Sequence, residues 1–310
     1  MIKRYSHNQM LHEIGGWYLT LLIGIIQVIS LLGAIPGILS IRVNAEAGGQ
    51  LARTFTIFLI ILTILLVGLS RRLTRTAIKK LDVWADETIR LKPEDELFAW
   101  REITSLSWRY GVAAAGVIFV DTLIVFLISL SKTEGLASLF QPTALSESDP
   151  VYVFMGGIVA LLGSVIPAVL MIEHFTLPIR QVLLPKEFET QLQGHRGLLL
   201  NGKLLALSLA LIGIAVLLIA PIGYHHTVHV LYGESSPAEV FQNLRLQSII
   251  FSILALGLGA GFSYYLSKMV SGPIYDLIQT FNKIEQGDLT KRATVKATDE
   301  LGIVTVQFNS

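Results

Sequence analysis

Six long apolar runs decide what this chain can fold into. Residues 17–41, 54–70, 150–172, 204–224 and 246–267 carry no charge, and residues 110–131 carry only Asp121. A helix needs about 20 apolar residues to cross roughly 30 Å of hydrocarbon, so five runs suffice as written. The run at 54–70 is at the short limit and is expected to extend past its ends. The runs lack in/out alternation, so they span as helices rather than as a barrel. Composition agrees: the 310 residues are 15% charged, against about 25% in soluble domains. The expected fold class is all-α and polytopic, with six transmembrane helices in residues 1–266.

The same composition excludes collagen, a disordered tail and a small disulfide scaffold. The chain has no cysteine, which removes disulfides, thiol nucleophiles and Cys-ligated metals. No cleavable signal peptide is visible, because the first run is longer than a signal core and no small-x-small site follows it. No phosphate loop, Ser/His/Asp set, HExxH or nucleic-acid stripe is present. No cofactor and no nucleic-acid partner is therefore expected for this region.

Lys and Arg set the orientation. Twenty of the 24 lie before span 1 and after spans 2, 4 and 6; only Arg42, Arg53, Lys132 and Arg245 lie in the other three segments. The positive-inside bias puts both termini in the cytoplasm. The outer loops, about 12, 18 and 21 residues long, are too short for a folded sensor domain, which takes 50 residues or more. Sensing is expected within the membrane or at its surface.

The spans group as three hairpins starting near residues 17, 110 and 204. Their even spans exit through similar segments: Ala77-Ile78-Lys79-Lys80-Leu81, Pro178-Ile179-Arg180-Gln181-Val182 and Pro273-Ile274-Tyr275-Asp276-Leu277. A repeated hairpin unit and chance similarity of amphipathic helix starts both account for this. After span 2, Leu73, Ala77, Leu81, Trp84, Thr88 and Leu91 fall on one helical face. Pro93 with Glu94, Asp95 and Glu96 then opens a second helix offering Leu97, Trp100, Thr104 and Trp108. This reads as a helical hairpin packed under the bundle, or as a docking surface for an output domain. The connector at 173–203, with Pro178 and Pro185, is expected to be part helical.

Charge returns at 267–310 with a new apolar period. Ile274, Leu277, Phe281 and Ile284 step by heptad spacing. Gln286-Gly287-Asp288 ends that helix, with Gly287 suited to the left-handed C′ position. A polar connector holds Leu289 and Val295. Thr298-Asp299-Glu300 then starts a second helix whose inner face is Leu301, Val304 and Phe308. In order and spacing, Pro273-Ile274, Gly287-Asp288-Leu289, Asp299-Glu300-Leu301-Gly302 and Phe308-Asn309 resemble the HAMP linker over about 43 residues. Ile303 and Val304 are more aliphatic than that pattern usually shows. The resemblance implies a parallel homodimer, two helices from each chain forming a four-helix bundle. The stripes agree, since one helix pair cannot bury them alone.

Among HAMP proteins, six spans with short outer loops and a cytoplasmic N-terminus are most similar to membrane-bound class III adenylate/guanylate cyclases of bacteria. That resemblance implies a bacterial plasma membrane location. It is an analogy of architecture, since no cyclase motif lies in these residues. A relay with nothing after it has no output, so the sequence reads as a fragment of a longer product. Histidine kinase and other outputs remain alternatives.

Asp121 lies mid-span, where a charge costs about 3 kcal/mol on insertion scales. It is either a ligand or proton site, or a neutral carboxyl bonded to Thr122, Gln27 or a serine. His225, His226 and His229 sit at the outer end of span 5, as a metal pair, a pH-sensitive lip or a solvated cluster. Glu173 and His174 read as headgroup-level anchors. Gly257, Gly259 and Gly261 make a small-residue strip that favours close helix contact, with a second copy or within the chain. The expected function is a receptor whose bundle binds an apolar ligand or lipid, such as a fatty acid or quinone, and shifts span 6. Two readings from other classes stand beside it. A transporter or channel needs a polar path, which charge-free spans do not supply; a structural anchor needs no sensing at all.

Overall fold

The computed structural model describes residues 13–45, 47–85, 92–132, 149–177, 179–180, 200–231, 237–293 and 300–309. Among them every regular element is an α-helix, and six helices are long and apolar enough to cross a membrane. Helix α1 (Trp17–Asn44) is joined to α2 (Gly48–Leu73) by residues 45–47 alone. The 12-residue outer loop expected there is thus mostly helix. Arg42 lies in the last turn of α1 and Arg53 in the second turn of α2. A helix continuing past the hydrocarbon keeps its backbone groups paired, which a loop cannot do as completely.

Helix α3 (Arg75–Ala85) follows α2 after a break at Thr74, and α4 (Pro93–Lys132) begins with Glu94, Asp95 and Glu96 in its first turn. At 40 residues, α4 is about 60 Å long, twice the hydrocarbon thickness. Its projecting first half packs on α3. Ala77 and Leu81 of α3 are buried, as are Trp100, Ile103, Leu106 and Tyr110 of α4. The Lys80–Asp95 ion pair of 2.9 Å closes the hairpin. Trp108, expected on the inner face, is 61% exposed. Two steps of four residues from Trp100 drift about 80° around a helix, so the buried stripe continues through Ile103, Leu106 and Tyr110 instead. Thr88 and Leu91 lie outside the described residues.

Helices α5 (Asp149–Phe175), α6 (Leu200–Leu231) and α7 (Pro237–Glu285) complete the bundle, and α8 (Glu300–Asn309) follows the connector. The consecutive pairs α1–α2, α4–α5 and α6–α7 are all neighbours. The large core joins α1 to α5; a smaller one joins Val159 and Leu170 of α5 to Leu207, Ile214 and Leu218 of α6 and Phe251 and Phe262 of α7.

Glycine sets the tightest crossing. A Cβ on Gly33 would collide with the carbonyl of Gly163, and one on Gly37 with the carbonyl of Gly156. Helices α1 and α5 therefore touch backbone to backbone. Small residues are the main way to gain dispersion contact where lipid removes the hydrophobic drive.

Several helix starts are capped by carboxylates from distant sequence. Gly16 N–H donates to Asp82 (2.7 Å), Ala47 N–H to Asp149 (3.0 Å) and Ala77 N–H to Glu102 (2.7 Å). Each satisfies an orphan donor at a positive helix end. Neither α1 nor α2 has a side-chain cap at its own N-cap residue.

Candidate relay and intramembrane site

Helix α7 carries the sixth apolar run and the first relay helix without interruption. Its 49 residues reach about 74 Å, far more than a bilayer core. Pro273 lies inside it and is buried. Proline has no N–H, so the helix loses one i→i−4 bond there and can bend.

The end of α7 is built as expected. Gly287 has φ 97. Its N–H donates to Ile284 O (2.9 Å), and Asp288 N–H donates to Lys283 O (3.1 Å). These two bonds define a Schellman ending with glycine at C′. Asp288 then accepts from the Thr290 hydroxyl (2.6 Å) and backbone (3.3 Å) and faces Lys291 at 3.6 Å. Those bonds, the Thr290 hydroxyl foremost, hold its carboxyl below the ordinary 3.8.

Farther on, Asn309 ties α8 to the connector. Its Nδ2 donates to Ala293 O and its Oδ1 accepts from Ala293 N–H, both at 2.8 Å. Asn309 was legible as part of the HAMP-like pattern, but nothing local marks it as the connector's clamp.

The relay's apolar residues are divided. Gly302 and Thr305 are buried, and Leu277, Ile284, Leu301 and Phe308 are half-buried. Ile274, Ile278, Phe281, Leu289 and Val304 are 40–71% exposed. One helix pair thus covers its inner edge and leaves a stripe of large apolar side chains open. Val295 and Asp299 lie outside the described residues.

Glu300 does more than begin α8. Its Oε2 accepts the N–H of Leu200 at 2.7 Å, so the second relay helix touches the start of α6. One turn along, Lys203 pairs with Glu173 of α5 at 2.5 Å, with side chains 2% and 11% exposed. Arg180 donates to the Glu173 carbonyl. His174 packs edge-on against Phe175 and Tyr265, the latter on α7. Glu173 and His174 are therefore joints between helices. No signal within either segment pairs positions 173 and 203.

Inside the bundle, Asp121 is fully buried and both carboxylate oxygens lack a hydrogen-bond partner. The partners expected for it are engaged elsewhere. Thr122 donates to Ile118 O, Gln27 Nε2 to Thr63 Oγ1 (3.3 Å) and Ser30 to Ser164 O (3.0 Å). A small cavity lies among α1, α2, α4 and α5, lined by Gln27, Ser30, Thr63, Ser164 and apolar neighbours including Val117 and Ile118. It admits about one water molecule, too little for an acyl chain or a quinone ring.

Gly257 and Gly261 are exposed, and a Cβ on either would meet nothing within 4 Å. Between them, Gly259 faces Leu211 of α6, 3.8 Å from where its Cβ would stand. The side chains of His225, His226 and His229 lie outside those described. Among the described residues no cluster of three His, Asp or Glu could hold a metal.

Residues 265–310 match the family model for the HAMP domain. Two methyl-accepting chemotaxis proteins of Bacillus subtilis (strain 168) are similar to part of the chain. McpC is 45% identical over 58 residues, 19% of this chain and 9% of McpC. TlpA is 32% identical over 59 residues, 18% of this chain and 9% of TlpA. The chain thus spans less than a tenth of the length of either relative. No solved structure matches. Residues 265–310 are a HAMP domain, continuous with the last of six apolar helices.

Proposed function

We propose that this chain is the membrane-embedded input and relay of a bacterial transmembrane signalling protein. It works as a parallel homodimer through the HAMP domain and α7, in the plasma membrane with both termini cytoplasmic. The observation that carries this is the unbroken course of α7 from Pro237 to Glu285. Any tilt, rotation or piston of the sixth span is delivered to the first relay helix without a hinge loop to absorb it. A bundle with two packings of similar energy can then pass the shift on. The lipid-facing walls are aliphatic, which suits an apolar stimulus arriving from the bilayer.

For the output we propose a nucleotide cyclase, which six spans with short outer connections support. A methyl-accepting output is the second reading, favoured by the names of the two relatives.

The chain has no cysteine, so single cysteines report cleanly. Phe281→Cys and Ile274→Cys should each form disulfide dimers in native membranes, while Gln279→Cys cross-links weakly. Equal, poor cross-linking at all three positions refutes the dimeric relay. Fusion of the chain to a cyclase catalytic domain, and to a chemoreceptor signalling helix, then separates the two outputs.

A further inference from the structure

The end of the first hairpin where α1 begins holds charge that the described chain does not answer. Other cations at this end of the bundle are engaged: Lys80 with Asp95, Lys203 with Glu173, and Arg180 on the Glu173 carbonyl. Arg71, Arg72 and Arg75, at the junction of α2 and α3, are exposed and make no ion pair or side-chain hydrogen bond among the described residues. Asp82 of α3 is spent on the Gly16 N–H. The Arg71 guanidinium instead lies 4.9 Å over the ring of Trp17, itself 56% exposed. A guanidinium stacked on a ring keeps its N–H donors at its edge, and the indole N–H beside it is a further donor.

A dent in the lipid-facing surface lies just beyond this pair. Gln27 of α1 bonds Thr63 of α2 at 3.3 Å, and Trp17 meets Arg71. Those two contacts fix an antiparallel register that sets Gly24 opposite Ile64 and Val67. Gly24 stands two turns from Trp17 on the same face of α1, about 10 Å deeper in the hydrocarbon. It is half-buried, yet a Cβ there would meet nothing within 4 Å. Leu21 and Ile64, on the two helices beside it, are 51% and 66% exposed.

The arginines call for an anion, and the dent calls for an apolar chain attached to it. A soluble anion answers the charge and leaves the dent empty. A zwitterionic lipid fills the dent but brings its own cation to the arginines. A second copy on this face would set like charges together. An anionic phospholipid supplies both parts in one molecule. We propose that Trp17, Gly24 and Arg71 form a site for one anionic phospholipid, its phosphate on Arg71 beside the indole and an acyl chain against Gly24. Arg72 and Arg75 add positive charge at the same helix end. The choice of the cytoplasmic leaflet rests on the orientation proposed above; the site itself depends on neither signalling nor dimerisation.

The test uses the full chain in phosphatidylcholine nanodiscs at fixed pH and ionic strength. The chain has no cysteine, so Leu21→Cys carries a bimane probe beside the dent. Leu209→Cys, at a position 59% exposed on α6, is the lipid-facing control. Phosphatidylglycerol or phosphatidylcholine with brominated acyl chains is titrated in, and quenching is read. At Leu21→Cys the brominated phosphatidylglycerol should quench at a mole fraction several times lower than the phosphatidylcholine; at Leu209→Cys the two should match. Arg71→Gln should weaken the preference by about fivefold, the effect of one basic residue near an anionic surface. Gly24→Leu changes no charge and grows into open space, so it should fold and also remove the preference; it keeps the test decisive if Arg71→Gln does not fold. Equal quenching by both lipids at Leu21→Cys overturns the site. So does the same preference at Leu209→Cys, which would mean attraction by overall charge. A preference that survives Gly24→Leu overturns it, and so does relief of quenching by soluble glycerol 3-phosphate, which would assign the arginines to a free phosphate.

Discussion

Two glycine strips of identical spacing lie in this chain, and they should respond oppositely to the same substitution. Gly33 and Gly37 on α1 face Gly163 and Gly156 on α5, whereas Gly257 and Gly261 on α7 face open space. For Gly37→Ala the new Cβ would collide with Gly156 O and stand 2.7 Å from Ala160 N and 2.9 Å from its Cβ. Carbon contacts are optimal at about 3.5–4.0 Å, so the helices must separate by roughly 1 Å. A gap of that size forfeits a quarter to a half of each contact. Overpacking of this kind costs about 1–3 kcal/mol, roughly 2–6 °C in Tm for a chain of this size. Gly257→Ala meets nothing and gains helix propensity, so its Tm should hold or rise. Thermal unfolding in nanodiscs reads both. Gly37→Ala at wild-type Tm, or an equal fall for Gly257→Ala, refutes the assignment of α1–α5 as the close crossing. Gly257→Leu extends the contrast: it should lower cysteine cross-linking between copies along α7 while leaving Tm in place.

Three further outcomes follow from the geometry. Gly287→Ala should loosen the end of α7 by about 1–2 kcal/mol, the usual cost of a left-handed φ for an L-residue; amide exchange at Ile284–Asp288 should quicken, and Gly287→Asn should quicken it less. Lys203→Ala should cost about 3–5 kcal/mol, because it strands the Glu173 carboxylate in a buried place; Lys203→Ala with Glu173→Gln should recover much of that loss in unfolding titrations. The Asp288 carboxyl is depressed below its ordinary 3.8 in the folded state, so its contribution to the connector turn is complete above that ordinary value and is lost as pH falls through the folded value. Carboxyl NMR should place its midpoint below the ordinary aspartate range, and Thr290→Val should move it up.

The spans and the HAMP domain were legible because their signals are local. A charge-free run of 20 residues has few alternatives, and a heptad stripe broken by Gln286-Gly287-Asp288 specifies both a helix and its end. What stayed hidden is tertiary. Asp82, Glu102, Asp149 and Glu300 cap helices whose starts lie 25 to 102 positions away, and no window contains both partners. Glu173 and Lys203 each end an apolar run, so each alone resembles an anchor at the headgroups. Gly33-x-x-x-Gly37 was as visible as Gly257-x-x-x-Gly261. Spacing says which face is small, but only packing says whether another backbone comes near.

The two routes into the HAMP domain also differ in kind. Helix α7 reaches it covalently, whereas α6 reaches it through the exposed Glu300 carboxylate on the Leu200 amide. A covalent helix transmits motion in any direction along its axis. A hydrogen bond transmits only while it is formed, and an exposed one contributes little net stability. Span 5, held to α5 by the buried Glu173–Lys203 pair, would then bias the start of α8 without locking it. Movement of α7 relative to α6 would lengthen the Glu300 contact before it disturbed that ion pair. On the signalling reading proposed above, a weak joint at Leu200–Glu300 and a strong one at Glu173–Lys203 would place the helix-pair repacking at residues 265–310. The core of α1, α2, α4 and α5 would then be left unchanged.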